Sequence, residues 1–176
     1  MATDVQNDVA AALDVVGWAN SDFYYDWTHY VSGGLPWDGE SCSEIACCIS
    51  YYGGNLSKIY VSNYAEGMYN LYLANNRFGH TPSLGAFIWF NYGAGVPEHT
   101  GRVVAIDNNA GTITTVEGNV YNYVAEFTYS INDPTIFGYG YPNYTDQPTP
   151  PPTPPTPGGN QGTYNRKRRR RHEIFY

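Results

Sequence analysis

Four side chains in this sequence have the types needed to break an acyl bond: Cys42, His99, Glu117 and Asn119. That chemistry requires a nucleophile, a base within its reach, and a third group to orient the base. Cys42 lies in SCSEIACCISYYGG, residues 41–54. Ser41 is a good N-cap residue, and Glu44 three positions later completes a capping box. The pairing puts Cys42 in the first helical turn, where unpaired backbone N–H groups and the positive end of the dipole favour a thiolate. The competing reading of Cys42 is a small buried hydrophobe.

His99 ends the loop GAGVPEH, directly before the expected strand RVVAID. Glu117 and Asn119 follow the next expected strand, TITTV. The turn NNAG between them folds 99–101 alongside 116–119, because a hairpin brings its far ends together. Either a carboxylate from Glu117 or an amide from Asn119 could then accept the imidazole N–H and hold its tautomer. The plainer alternatives are a turn acid at Glu117 and a left-handed backbone position at Asn119.

The elements that must hold these residues can be read in order. Residues 4–16 place Val5, Val9, Ala12, Leu13 and Val16 at helical spacing, and Gly17 stops the helix. Residues 18–40 are aromatic and turn-rich and read as a loop wrapped over the Cys42 helix. A second helix is expected from Ser62 or Asn63 to about residue 75, with Tyr64, Met68, Tyr69, Leu71 and Tyr72 on its apolar face. Arg77–His80 read as its exit turn. From Pro82 the pattern changes to strands: SLGAFIWFNY, RVVAID, TITTVEGN, YVAEFTYSI, and TIFGYGYP as an edge strand. Helices followed by an antiparallel sheet make an α+β plan.

Composition narrows the function. Eighteen tyrosines and four tryptophans suit broad aromatic clefts. Residues 1–165 hold three basic and fifteen acidic residues, a balance of −12, whereas 166–173 carry +5. An acidic body argues against nucleic-acid binding by that body. No run is apolar and long enough for a transmembrane segment, and the N-terminus does not read as a signal peptide. Cys47 and Cys48 read as helix packing residues, since the paired spacings of zinc sites are missing. Asp22, Asp26 and Asp38 lack EF-hand spacing and read as solvated loop acids. No metal or other cofactor is called for. The expected organisation is a catalytic domain over 1–144, a Pro/Thr/Gly-rich linker over 145–163, and a basic tail over 164–176. The tail reads as a solvated run of charge, with anionic wall polymers, lipid head groups or nucleic acid as the partners it could bind.

The segments SCSEIACCISYYGG, SLGAFIWF, PEHTGRVVAID, TITTVEGN and IFGYGYP, in that order, resemble the CHAP domain, the cysteine, histidine-dependent amidohydrolases/peptidases. The resemblance covers about residues 5–143. Its most specific parts are His-Thr-Gly before one strand and Thr-x-Glu-Gly-Asn at the end of the next. It implies a papain-like fold of N-terminal helices on an antiparallel sheet, and peptidoglycan as substrate. The family nucleophile falls on Cys42, its base on His99, its orienting carboxylate on Glu117 and its amide on Asn119. The chain departs from the family in having DGES after Trp37, where an aromatic often precedes the nucleophile, and Ala86 where an aspartate is usual. Many members are phage lysins, so the expected function is a phage-lysin-like amidase or endopeptidase, acting at the wall after lysis or from the virion. NlpC-type peptidases and a catalytically inert wall-binding protein on the same fold are the alternatives.

Overall fold

The computed structural model describes residues 2–37 and 42–145. The expected Ser41 cap, Asp38, most of the linker and the whole basic tail lie outside the described residues.

Helix α1 (Asp4–Asp14) begins at Thr3, whose hydroxyl accepts from the Gln6 N–H at 3.2 Å while the Gln6 side chain accepts from the Thr3 N–H at 3.0 Å. This reciprocal box fixes the first turn. The aromatic segment after Gly17 is more regular than a wrapping loop. It forms a 3-10 turn (Asn20–Phe23), the single turn α2 (Tyr24–Asp26) and a π turn (Trp27–Val31). Phe23 and Trp27 are drawn fully into the core. The burial that anchors them wins over the weak local helix signal.

Helix α3 (Cys42–Tyr52) is the centre of the molecule, with every residue from Cys42 to Ser50 buried. Cys47 and Cys48 are completely enclosed, as packing residues should be. Helix α4 (Ala65–Ala74) starts one or two residues later than the Ser62 or Asn63 cap implies, and its N-cap Tyr64 makes no side-chain cap bond. Met68 and Tyr72 are buried, but Tyr64 and Leu71 are exposed, so the apolar face is narrower than expected.

Six strands follow: β1 (Phe78–Gly79), β2 (Phe87–Phe90), β3 (His99–Asp107), β4 (Thr112–Val120), β5 (Tyr123–Ser130) and β6 (Ile136–Gly140). They form one antiparallel sheet in the order β1-β6-β2-β3-β4-β5. Two expectations change here. The expected exit turn after α4 contains β1, and β1 takes the edge outside β6. The closing strand β6 is therefore interior, between β1 and β2. Both corrections arise from pairing between residues about 60 positions apart, such as Phe78 with Gly140.

The sheet separates two cores. One face packs Phe87, Trp89, Val104 and Val116 against α1, α3 and α4. The other buries Ile88, Phe90, Val103, Ile113 and Tyr139, with Ile106, Tyr129, Ile131 and Ile136 packed against them. Register shifts at Trp89/Phe90, Val103/Ala105 and Glu117/Val120 supply local bends.

The layers are joined by Arg102, which is 1% exposed. Its Nη2 donates to Asp8 Oδ2 at 2.6 Å, to Gly85 O at 2.8 Å and to Tyr144 OH at 2.6 Å. Its Nη1 donates to Ala46 O at 3.2 Å and Ser50 Oγ at 2.5 Å. Burial opposes its charge, but Tyr144 and Asp8 beside it hold its pKa above the ordinary guanidinium value. Replacing Arg102 with Met leaves the Asp8 carboxylate enclosed without its cation. We expect a loss of about 3–5 kcal/mol, read as a lower midpoint of urea unfolding.

Candidate active site

The site is assembled where the N-terminus of α3 meets the start of β3 and the end of β4. Cys42 is the first residue of α3 and is 7% exposed. His99 is the first residue of β3, one step further into regular pairing than the expected loop end, and pairs with Phe90 on β2. The Phe90 ring lies 5.9 Å from the imidazole and forms an apolar floor beneath it.

Glu117 on β4 pairs with Gly101, so His99 is its diagonal neighbour across the strands. Its Oε2 lies 2.8 Å from His99 Nε2. The bond runs over Gly101, where an added Cβ would come within 2.6 Å of Glu117 Cγ and 2.8 Å of Val116 O. The glycine of His-Thr-Gly is thus the space through which the carboxylate reaches the imidazole. The other carboxylate oxygen, Oε1, accepts from Thr115 Oγ1 at 2.6 Å. Both oxygens are held, and Glu117 is fixed in one rotamer.

His99 also hydrogen-bonds the Cys42 side chain. Burial works against the imidazolium, but the bonds to Cys42 and Glu117 outweigh it and raise the pKa to about 10. Its proton is therefore retained at neutral pH. Because the folded pKa lies above the ordinary 6.5, this contribution to stability is complete below about pH 6.5 and is lost as pH rises through about 10.

The sequence offers both Glu117 and Asn119 for holding His99. Glu117 makes that bond. Asn119 sits at the β4 register shift with φ +63°, and its Oδ1 accepts from Asn20 Nδ2 at 2.7 Å. Between them, Gly118 lies flat on Ile45, one turn into α3 from Cys42. An added Cβ there would meet the Ile45 side chain at 2.6 Å and push the end of β4 away from the helix.

The sequence motifs assign no role to Asn20, Thr115 or Arg102. Arg102 carried a usable signal, as a lone cation inside an apolar strand. Asn20 carried none, being 99 positions from its partner.

The loop entering His99 is tied to itself. Glu98 Oε2 accepts from the N–H groups of Tyr92 at 2.7 Å and Ala94 at 3.3 Å, and Asn91 Oδ1 accepts from Gly93 and Gly95. Tyr92 stacks on Phe90 with rings 6.1 Å apart and remains exposed. Of the loop acids, Asp22 accepts from the Ala19 N–H and Asp26 from the Tyr52 hydroxyl. No group of three or more His, Cys, Asp or Glu side chains suited to a metal occurs among the described residues. No helix in the described residues is long and apolar enough to cross a membrane.

A family model described as the CHAP domain matches residues 20–119. No curated protein matches the chain in sequence. Among solved structures, one titled "The crystal structure of Ly7917" is similar with a TM-score of 0.49 and 17% identity, over 79% of this chain and 62% of that one. This chain thus spans less than two thirds of that structure's length.

Two measurements follow from the geometry. In native protein at pH 7, iodoacetamide should modify Cys42 well before Cys47 or Cys48. The latter two are fully enclosed, and burial pushes the Cys47 thiol up to about 12 and Cys48 still further up. In an NMR titration of the His99 ring, Glu117→Gln should lower the midpoint from about 10, because it removes one of the interactions that favours the imidazolium.

Proposed function

The chain belongs to the CHAP family of peptidoglycan amidases and peptidases, and from that membership we propose that it hydrolyses an amide bond of peptidoglycan with Cys42 as nucleophile. The observation that carries this reading is the hydrogen-bonded line from Cys42 through His99 to Glu117.

In the proposed reaction, Cys42 Sγ attacks the amide carbonyl carbon while His99 holds its proton on the adjacent nitrogen. The carbonyl π electrons move to oxygen, and the oxyanion is met by the Cys42 backbone N–H at the helix N-terminus. His99 then delivers its proton to the leaving nitrogen as the C–N bond breaks, giving a free amine and a thioester. A water enters, gives a proton to His99 and attacks the thioester carbon. Collapse of that second intermediate expels the Cys42 thiolate facing protonated His99 and releases the carboxylic acid, which gives its remaining proton to solvent and leaves as the carboxylate. Glu117 keeps the imidazole in one orientation throughout, with Thr115 holding Glu117. Asn119, at the rim beyond Glu117, serves as a polar contact for the reacting peptide.

Tyr92 and the exposed aromatics Tyr24, Tyr25 and Tyr30 offer flat faces on which sugar rings or stem-peptide side chains can stack. We further assign a phage-lysin-like role at the bacterial wall, as muramoyl-alanine amidase or endopeptidase, with the basic tail as an accessory contact to anionic wall polymer.

Digestion of purified Gram-positive walls tests the proposal. Wild-type protein should release soluble fragments, and Cys42→Ala should release none. New alanine N-termini with intact glycan would identify an amidase, and cuts within the peptide an endopeptidase. Absence of release from several wall types would overturn the enzyme reading.

A further inference from the structure

We propose that Asn20 is a positioning residue that fixes the side-chain amide of Asn119 with its Nδ2 donor, not its oxygen, turned toward the reacting peptide. This deepens the functional reading above and rests on it for its catalytic consequence. Its structural half stands alone.

One group at this contact has an unambiguous role. The backbone N–H of Asn119 can only donate, and it points at the Asn20 side chain, with a separation of 3.2 Å. The atom of Asn20 that receives it must be the oxygen, Oδ1. The other terminal atom of Asn20 is then the nitrogen, and it lies 2.7 Å from the terminal atom of the Asn119 side chain. A nitrogen donor requires an acceptor there, so that atom is Asn119 Oδ1. Both amide orientations, ordinarily a matter of choice, are fixed by a single backbone proton. The Asn119 amide therefore presents Nδ2 on the side away from Asn20. No described residue accepts from that nitrogen.

Asn20 is well placed to impose this. It is 7% exposed, and its own N–H donates to Asn122 O at 2.8 Å. The preceding residues are laced to the start of β5: the Gly17 N–H donates to Val124 O, the Val124 N–H to Trp18 O, and Ala19 bridges Tyr123. The segment 17–20 is thus a short flank to the β4–β5 turn, and Asn20 reaches from it across to Asn119. Asn119 in turn occupies a left-handed backbone position at a register shift. That conformation turns its side chain out of the alternation of β4, and the reciprocal bonds to Asn20 stabilise it.

The location makes the donor chemically relevant. Asn119 follows Gly118, which rests on Ile45 in the first turn of α3, and lies two residues beyond the Glu117 that holds His99. A donor there can meet a peptide carbonyl or its developing oxyanion, whereas an acceptor would repel it.

Asn20→Asp separates the possibilities. The carboxylate still accepts from the Asn119 N–H, but it offers no donor. The Asn119 amide must then rotate to donate to it, presenting Oδ1 to the substrate. We expect kcat to fall on the order of a hundredfold, the scale for loss of one oxyanion donor, with KM nearly unchanged. The rate of Cys42 alkylation should stay at the wild-type value, because Glu117, His99 and Cys42 are untouched. In an Asn119→Ala background the same Asn20→Asp change should cost little further, since its target is gone. Wild-type kcat in a folded Asn20→Asp protein, parallel loss of kcat and alkylation, or additive losses in the double variant would each overturn the proposal.

A readout independent of turnover guards against failure of the enzyme reading or of the variant to fold. In side-chain amide NMR of the wild-type protein, the Asn20 NH2 protons should exchange slowly with solvent and the Asn119 NH2 protons rapidly. The reverse order would overturn the assignment whether or not any wall is digested.

Discussion

The buried pair of Asp8 and Arg102 is the interaction on which the arrangement depends. Arg102 lies three residues after His99 on β3, and the atoms it grips come from α1, α3, the approach to β2 and the segment after β6. Asp8 is equally committed, accepting from Ser50 at 2.7 Å, Tyr144 at 2.6 Å and Asn55 at 2.7 Å in addition to the guanidinium. The Phe87 ring, 4.2 Å from the Arg102 carbon, closes the remaining side. Such a buried pair contributes little net stability relative to an apolar replacement of both partners. Its effect is geometric: the charges are satisfied only when helix and strand have one relative position. Because Ala46 and Ser50 lie on the same helix as Cys42, that position also sets the distance between Cys42 and His99.

Near Cys42, His99 and Glu117 the same problem is solved by omission of side chains. At Gly101 the missing Cβ gives Glu117 its path to His99, and at Gly118 it lets β4 lie on Ile45. Distant polar atoms fix the layers, and two close approaches then bring the groups into contact. The cost of holding a charged imidazole in an enclosed place is offset by its interactions with Cys42 and Glu117.

Much of this was legible in the sequence because its signals are local. The periodicity of α1, the apolar run of β2, the NNAG turn and the glycine-bounded helix after Cys42 each depend on residues within one element. The α+β plan and the family resemblance follow from their order. What escaped depends on partners far away. Phe78–Gly79 is too short to declare itself a strand, and becomes one only because Gly140 and Tyr139 pair with it. The closing strand looked like an edge for the same reason. The turns between Asn20 and Val31 are helical because Phe23 and Trp27 are buried, which no local pattern states. Asn119 was recognised by its motif, but the amide that engages it, Asn20, belongs to a segment with no distinguishing pattern.

The last two described residues are bolted down as firmly as the core. Tyr144 places its hydroxyl between Arg102 and Asp8, and Thr145 bonds Asp4 through both its N–H and its hydroxyl at 2.9 Å. A chain leaving the domain at this point departs from a fixed origin rather than from a fraying end. The reach of anything it carries is then a property of the leash alone, and its local concentration over the substrate surface is set by leash length and stiffness. A pull on the chain beyond Thr145 would be felt first by the Asp4 and Arg102 contacts, so such a load would fall on the clamp between helix and sheet.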